Sequence, residues 1–266
     1  MRFFQDSVLV NNMIDSHCHI NDKAFLNREV EYIENAKSVG VTSFLVVGCD
    51  LNMSKKAVEI AERFDCCFAA IGIHPSDSKN AGDNDLNEIE QMVKNKKVLA
   101  IGEIGLDYYW DKEESIKNHQ KEYFIKQIEL ANKYNLPISI HCRDAYEDCL
   151  IILKSHPVKR GGVMHCYGGS KEMMSEFIKI GFYIGIGGTV TFKNAVKIKE
   201  VAQSVPSDKY LLETDAPYLA PTPHRGEENQ SKYLTLIRDQ IVLLRSSSAE
   251  QVEKETTDNF KRLFDL

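Results

Sequence analysis

No stretch of this chain approaches the roughly 18 consecutive apolar residues that a membrane-spanning helix requires, so no span is expected. Residues Met1 to Asn12 hold one short apolar patch, Val8-Leu9-Val10, and no longer apolar core, so no signal peptide is expected either. The seven cysteines include no Cys-x-x-Cys pair, which removes the usual thiolate metal motif. Their odd number and scattered placement fit a reducing compartment, and the expected location is the cytoplasm. Nothing after the first predicted strand resembles Gly-x-Gly-x-x-Gly, the fingerprint of an open dinucleotide-binding sheet. There is no excess of positive charge: 33 Lys and Arg against 39 Asp and Glu leave a net charge of −6. That argues against a broadly basic nucleic-acid-binding surface. It leaves open a nucleic acid entering one cation-lined pocket, because bound metal ions dominate the charge around them. Low-complexity segments, linkers and long repeats are absent as well.

What the chain does have is one pattern, strand then helix, repeated eight times in some 250 residues. Short apolar runs predict strands ending at His17 to His19, and at Ser43–Val47, Cys67–Ile73 and Val98–Gly102. Four more follow: Pro137–Ile140, Gly162–Met164, Phe182–Ile186 and Tyr210–Glu213. Apolar positions at helical spacing predict helices near 28–39, 53–64, 85–95, 116–134, 145–154, 171–180 and 192–204, with two more near 232–245 and 249–264. Strands that are apolar throughout suit a parallel sheet covered on both faces. The economical solution is a closed (β/α)8 TIM barrel of residues 13–266, with residues 1–12 as a loosely held N-terminal extension.

The chemistry lies at the strand ends. In Asp15-Ser16-His17-Cys18-His19, alternation along a strand turns His17 and His19 to one face and Cys18 to the other. Glu103, His141, His165 and Asp215 each follow another predicted strand, so a barrel brings all six residues to one mouth. Six ligands are too many for one hydrolytic metal and suit two divalent ions. The expected arrangement is His17, His19 and Asp215 on one ion, His141 and His165 on the other, and Glu103 as a bridge. Two such ions can clamp the attacking and leaving oxygens of an in-line displacement. Asp215 is also the candidate general base, which makes Asp215 and Glu103 the expected catalytic residues. Cys18, Cys142 and Cys166, each next to a ligand, are expected to be small buried groups facing away from it.

Around the mouth, His74 ends strand three, and Arg143 follows His141 by two on the same face, where a guanidinium suits phosphate. Arg225 follows the proline-rich turn of Pro217, Pro221 and Pro223. Tyr108, with Tyr109 and Trp110, could stack on bases. His74, Arg143, Arg225 and Tyr108 are therefore the expected substrate contacts, and Asp107 is expected to orient a ligand or a loop. Mixed imidazole and carboxylate ligands suit zinc, manganese, nickel or iron.

The segments Asp15–His19, Gly72-Ile73-His74-Pro75, Gly102–Tyr109, Ile140–Arg143, His165-Cys166-Tyr167 and Glu213–Leu219 resemble those of the TatD family of metal-dependent deoxyribonucleases. Pro221–Gly226 and Thr257-Asp258-Asn259-Phe260 fit the same family. The resemblance runs from Met13 to the C-terminus. It implies an amidohydrolase-type barrel, a two-metal centre on the ligands above with magnesium as a further possible ion, and hydrolysis of DNA, often from the 3′ end. Asn21 stands where relatives often carry aspartate. Glu103 takes the place of the modified lysine that bridges the metals of related amidohydrolases. The expected partner is DNA with single-stranded ends, met by a monomer. A small-molecule amidohydrolase or phosphoesterase on the same metals remains the alternative, and it suits the acidic surface. A binding protein on a degenerate barrel is the third reading, opposed by the intact ligand set.

Overall fold

The computed structural model describes residues 12–266. Apart from Asn12, the expected N-terminal extension lies outside the described residues. The elements run β1 (Met13–Cys18), α1 (Glu29–Lys37), β2 (Val41–Val47), α2 (Leu51–Arg63), β3 (Cys67–Ile71), the single turn α3 (Pro75–Ser78), α4 (Asp83–Met92), β4 (Val98–Asp107) and α5 (Glu114–Tyr134). They continue with β5 (Ile138–Arg143), α6 (Tyr146–Ser155), β6 (Gly162–Met164), α7 (Lys171–Lys179), β7 (Phe182–Ile186), α8 (Val196–Ser204), β8 (Tyr210–Leu212), α9 (Leu234–Arg245) and α10 (Ala249–Phe264). All eight strands are parallel and each pairs with the next in sequence, from β1 to β8. The expected barrel is the observed one. Among the described residues no helix is long and apolar enough to cross a membrane.

Alternation along the strands divides the core in two. Leu45, Val47, Ala70, Ala100, Val163 and Leu211 gather inside the barrel, while Phe44, Val46, Ile71, Ile101, Met164 and Leu212 face the helices. The last helix closes the inner cluster: Phe260, Leu263 and Phe264 of α10 pack against it. Burying each such side chain stabilises the fold by about 1.5–3 kcal/mol. Asn259 fixes this helix by donating from Nδ2 to the carbonyls of Ser207 and Tyr210, both at 2.9 Å. The helices start where side chains accept the free backbone N–H groups: Asp50 for α2, Ser170 for α7 and Ser248 for α10.

Several boundaries differ from the sequence expectation. β4 does not stop at Gly102 but runs to Asp107, paired with β5 as far as Asp107 opposite Arg143. Gly105 makes this possible: its φ is +139°, and a Cβ there would lie 2.0 Å from the carbonyl oxygen of His141. β3 and β8 stop earlier than expected, at Ile71 and Leu212, so His74 and Asp215 stand on the loops beyond them. The helix expected from Phe192 begins at Val196, after a short 3-10 turn over Gly188–Thr191.

β8 and β1 carry no ladder between them. Bonds just above the end of β8 join them instead: Asp215 N–H donates to the His17 carbonyl at 2.9 Å, and His19 N–H to the Ala216 carbonyl at 2.8 Å. Side chains complete the seam. Ser16 Oγ donates to the Leu212 carbonyl at 2.8 Å. The buried carboxylate of Asp15 accepts from Thr214 N–H at 3.0 Å, from the Thr214 hydroxyl at 2.5 Å and from the Ser231 hydroxyl at 2.5 Å. Burial outweighs these bonds and pushes Asp15 up from 3.8 to about 6.

Candidate metal centre

The seam presents half of the cluster. His17 and His19 leave the end of β1 on one face, their Nε2 atoms 3.3 Å apart. Asp215 Oδ1 lies 3.3 Å from His19 Nε2 and 3.9 Å from His17 Nε2. His19 Nδ1 is 2.9 Å from the carbonyl of Val47. A carbonyl only accepts, so Nδ1 carries a proton and Nε2 is the nitrogen turned toward His17 and Asp215. Two imidazole nitrogens and a carboxylate converging in this way, all buried, form a set of donors that a cation satisfies.

The β4–β5 ladder presents the other half. Glu103, buried near the middle of β4, divides its two oxygens between two sets of neighbours. Oε2 faces His17 at 3.5 Å and His19 at 3.9 Å; Oε1 faces His141 at 3.0 Å, His165 at 3.7 Å and His74 at 3.9 Å. Burial works against ionisation of Glu103, but His165, His141 and His17 hold it well below the usual carboxylate range. His141 is gripped from both sides, Nδ1 by Glu103 and Nε2 by Asp107 Oδ2 at 2.9 Å. Burial opposes its protonation, and the bonds to Asp107 and Glu103 carry it up to about 9. Asp107 thus orients a site residue, and its Oδ1 also accepts from the backbone of Tyr109 and Trp110.

His165 joins the halves. Its ring stacks on His17 with centroids 3.4 Å apart, and its Nε2 lies 3.6 Å from Asp215 Oδ1. Its Nδ1 is 3.0 Å from Glu213 Oε1, an ion-pair contact. Burial works against the charged ring, but Glu213, Asp215 and Glu103 raise it to about 9. Gly185 leaves the room that Glu213 occupies, since a Cβ there would meet Glu213 Oε2 at 2.4 Å. His74 behaves oppositely: burial and the neighbouring His141 pull it down to about 4.

All six expected ligands therefore meet at the carboxyl ends of the strands, five of them lining a pocket of about 780 Å3 and His17 fully buried beneath it. Their donor atoms form overlapping groups: His17, His19 and Asp215; His17, Glu103 and His165; His74, Glu103 and His141. His141 thus groups with His74, while His165 groups with His17. His74 and Arg143 line the same pocket, and the Arg143 guanidinium lies over the Tyr109 ring, 3.8 Å from its centroid. Tyr108 does not reach the pocket. Its hydroxyl donates to Asp148 at 2.8 Å, which turns it into a neighbouring cavity. Arg225 is stacked on Phe192 at 4.1 Å and is not among the residues lining the pocket. Cys18 and Cys142 are buried in the core as expected, Cys142 also bordering the pocket, whereas the half-buried Cys166 lines its mouth.

Two groups at the centre escaped the sequence reading. Cys49 lies 3.5 Å from Glu103 Oε2 and 3.9 Å from His19 Nδ1, with burial pushing its thiol up to about 12. It follows the end of β2, so the strand-end rule applied to that strand would have found it. Glu213 stands two residues before Asp215 and carried no signal beyond its motif.

A sequence profile described as TatD related DNase matches residues 14–265. A protein of Bacillus subtilis (strain 168), described as the uncharacterized metal-dependent hydrolase YabD, is 45% identical over 95% of this chain and 98% of its own length. The 3′-5′ ssDNA/RNA exonuclease TatD of Citrobacter koseri is 32% identical, covering 96% and 99% of the two chains. Among solved structures, the TatD homologue YjjV of Escherichia coli K12 superposes with a TM-score of 0.92 at 29% identity, over 97% of this chain and all of that one.

Proposed function

The chain belongs to the TatD related DNase family and is a metal-dependent hydrolase; on that premise we propose that it is a deoxyribonuclease cleaving phosphodiester bonds at single-stranded ends, from the 3′ side. The observation that carries the proposal is Glu103, whose two oxygens are turned to two separate sets of imidazoles. A carboxylate so placed suits a bridge between two divalent ions, zinc, manganese, nickel or magnesium. His17, His19 and Asp215 would hold one ion, and His141 and His165 the other. Bound there, the ions would polarise the phosphate and make water a stronger acid.

The remaining work falls to the chain. Asp215 reaches the mouth from the loop after β8 and takes the proton of the attacking water. The water oxygen bonds to phosphorus and the P–O3′ bond breaks. Its electron pair stays on the 3′ oxygen, which takes up a proton, leaving a 5′-phosphate and a 3′-hydroxyl. Asp107 and Glu213 act as positioning residues, the first for His141 and the second for His165. Arg143, braced on Tyr109, meets a phosphate oxygen at the lip. Seven free thiols suit a reducing compartment, and we place the enzyme in the cytoplasm as a monomer.

The test is incubation of the purified chain with a labelled single-stranded oligonucleotide, with each metal and with chelator. Metal-dependent release of 5′-mononucleotides from the 3′ end is expected. Turnover of a simple phosphoester or amide with no oligonucleotide cleaved would overturn the nuclease reading in favour of a small-molecule hydrolase.

A further inference from the structure

Two further cavities open beside the central pocket. One, of about 510 Å3, lies against the start of α6 and is lined by Asp144, Glu147 and Asp148 beside Tyr108. The other, of about 460 Å3, lies between the loop after β6 and the start of α8, and shares Cys166 and Gly168 with the central pocket. Both volumes fall within the roughly 300–1,000 Å3 of small-ligand sites. Charge separates them. A nucleic-acid strand carries one negative charge per phosphate; Asp148 is paired with Lys121 at 2.7 Å, and Asp144 and Glu147 are left to repel the strand. No carboxylate lines the second. Its walls are mostly apolar, from Ala195, Val196 and Ile198, with Thr189 and Asn194 as its polar edge. Lys197 stands where the two cavities meet. The first turn of α8 carries no acidic residue, and Val196 in that turn is 61% exposed at the cavity wall.

Resting on the nuclease reading above, we infer that the apolar cavity beside α8 holds the base of the nucleotide next to the scissile phosphate, with Lys197 on the phosphate beyond it. The bound strand then leaves the centre over α8 and turns away from the acidic wall of α6. An apolar slot with few hydrogen-bonding groups accepts any base, because every base has a flat face. The cavity thereby adds affinity without sequence preference.

The experiment compares kcat/KM on a single-stranded thymidine oligonucleotide with kcat/KM on bis(4-nitrophenyl) phosphate, an ester with no second phosphate for Lys197 to meet. Lys197→Glu and Val196→Asp both alter exposed positions. Each should lower the ratio of the two constants by about tenfold, with the loss in KM for the oligonucleotide rather than in kcat. Lys197→Ala should make the slope of log affinity against log salt shallower by about 0.7, the value for one phosphate contact on a single strand. Lys261→Glu, the same charge change on the exposed side of α10, should leave the ratio as in the wild type. A ratio unchanged by both α8 variants, while the wild type still degrades the oligonucleotide, would overturn the cavity assignment alone. A wild type that hydrolyses only the small ester would overturn the nuclease reading, and the assignment with it.

Discussion

The two halves of the centre are held in different ways. On the β4–β5 side the main chain does the positioning: a ladder from Ile104 opposite Ile140 to Asp107 opposite Arg143 carries His141, and Glu103, in the register shift just before it, donates its N–H to the Gly48 carbonyl at 3.0 Å. On the β8–β1 side there is no ladder: two backbone bonds, Asp215 N–H to the His17 carbonyl and His19 N–H to the Ala216 carbonyl, are backed by the side chains of Asp15, Ser16, Thr214 and Ser231. A ladder tolerates most side-chain changes, because its bonds belong to the backbone. A seam of side chains depends on each of them. His17, His19 and Asp215 sit on the seam, so this half of the centre is the more sensitive to sequence.

Glu103 spans both halves, and its loss should have the largest effect. Glu103→Ala is expected to lower metal occupancy in both halves and abolish turnover, whereas His17→Ala should spare the half built on His141 and His165. Metal counting on the purified variants decides it; equal losses would leave the bridge without support. Next comes the ladder itself. Gly105→Ala forces a Cβ onto the His141 carbonyl at a backbone angle that suits glycine, and should cost about 3 kcal/mol or more in chemical denaturation. If it costs no more than a surface substitution, the ladder is not what holds His141.

On the seam, Asp215→Asn keeps the shape but not the base, and turnover should drop by at least ~10²-fold while substrate binding is largely kept. Near-normal turnover would remove Asp215 from proton transfer. Asp15→Ala leaves Thr214 and Ser231 donors buried without an acceptor and should cost about 2 kcal/mol. An effect much below 1 kcal/mol would mean that the backbone bonds suffice to close the barrel.

The smallest effect is a pH dependence. Asp15 rises from 3.8 to about 6 on folding, so between those values the folded chain binds more protons than the unfolded one. The stability Asp15 contributes is complete below 3.8 and is lost as the pH rises through 6. The stability of the wild type relative to Asp15→Asn should therefore fall across that window and stay level above it. A difference that grows with pH would mean that the seam favours the charged carboxylate.

The ladder half was the easier to read from sequence, and so was the meeting of the six candidate residues. Apolar runs followed by a histidine or carboxylate are local patterns, and a parallel barrel turns eight such patterns toward one mouth. The seam was not legible. Asp15 and Ser231 show no pairing signal, because their contact exists only once the barrel has curved around. Nor was the direction of loop side chains legible. Tyr108 turns outward because Asp148 accepts its hydroxyl, and Arg225 because Phe192 offers a ring. Those partners lie 40 and 33 positions away. Gly105 was read as part of a loop, since nothing local marks a glycine that lets a strand continue.

Closure of the barrel by Asp15 and Thr214 has a consequence for biosynthesis. The two residues are 199 positions apart. At about 5–20 residues per second, a ribosome takes on the order of ten to forty seconds to make the second after the first. Throughout that interval the nascent chain presents His17 and His19 without Asp215, so the candidate donor set lacks its carboxylate. Translation halted before residue 215 yields a polypeptide that can pair its early strands but cannot close the barrel. Catalytic competence therefore arrives late in synthesis, with the last strand.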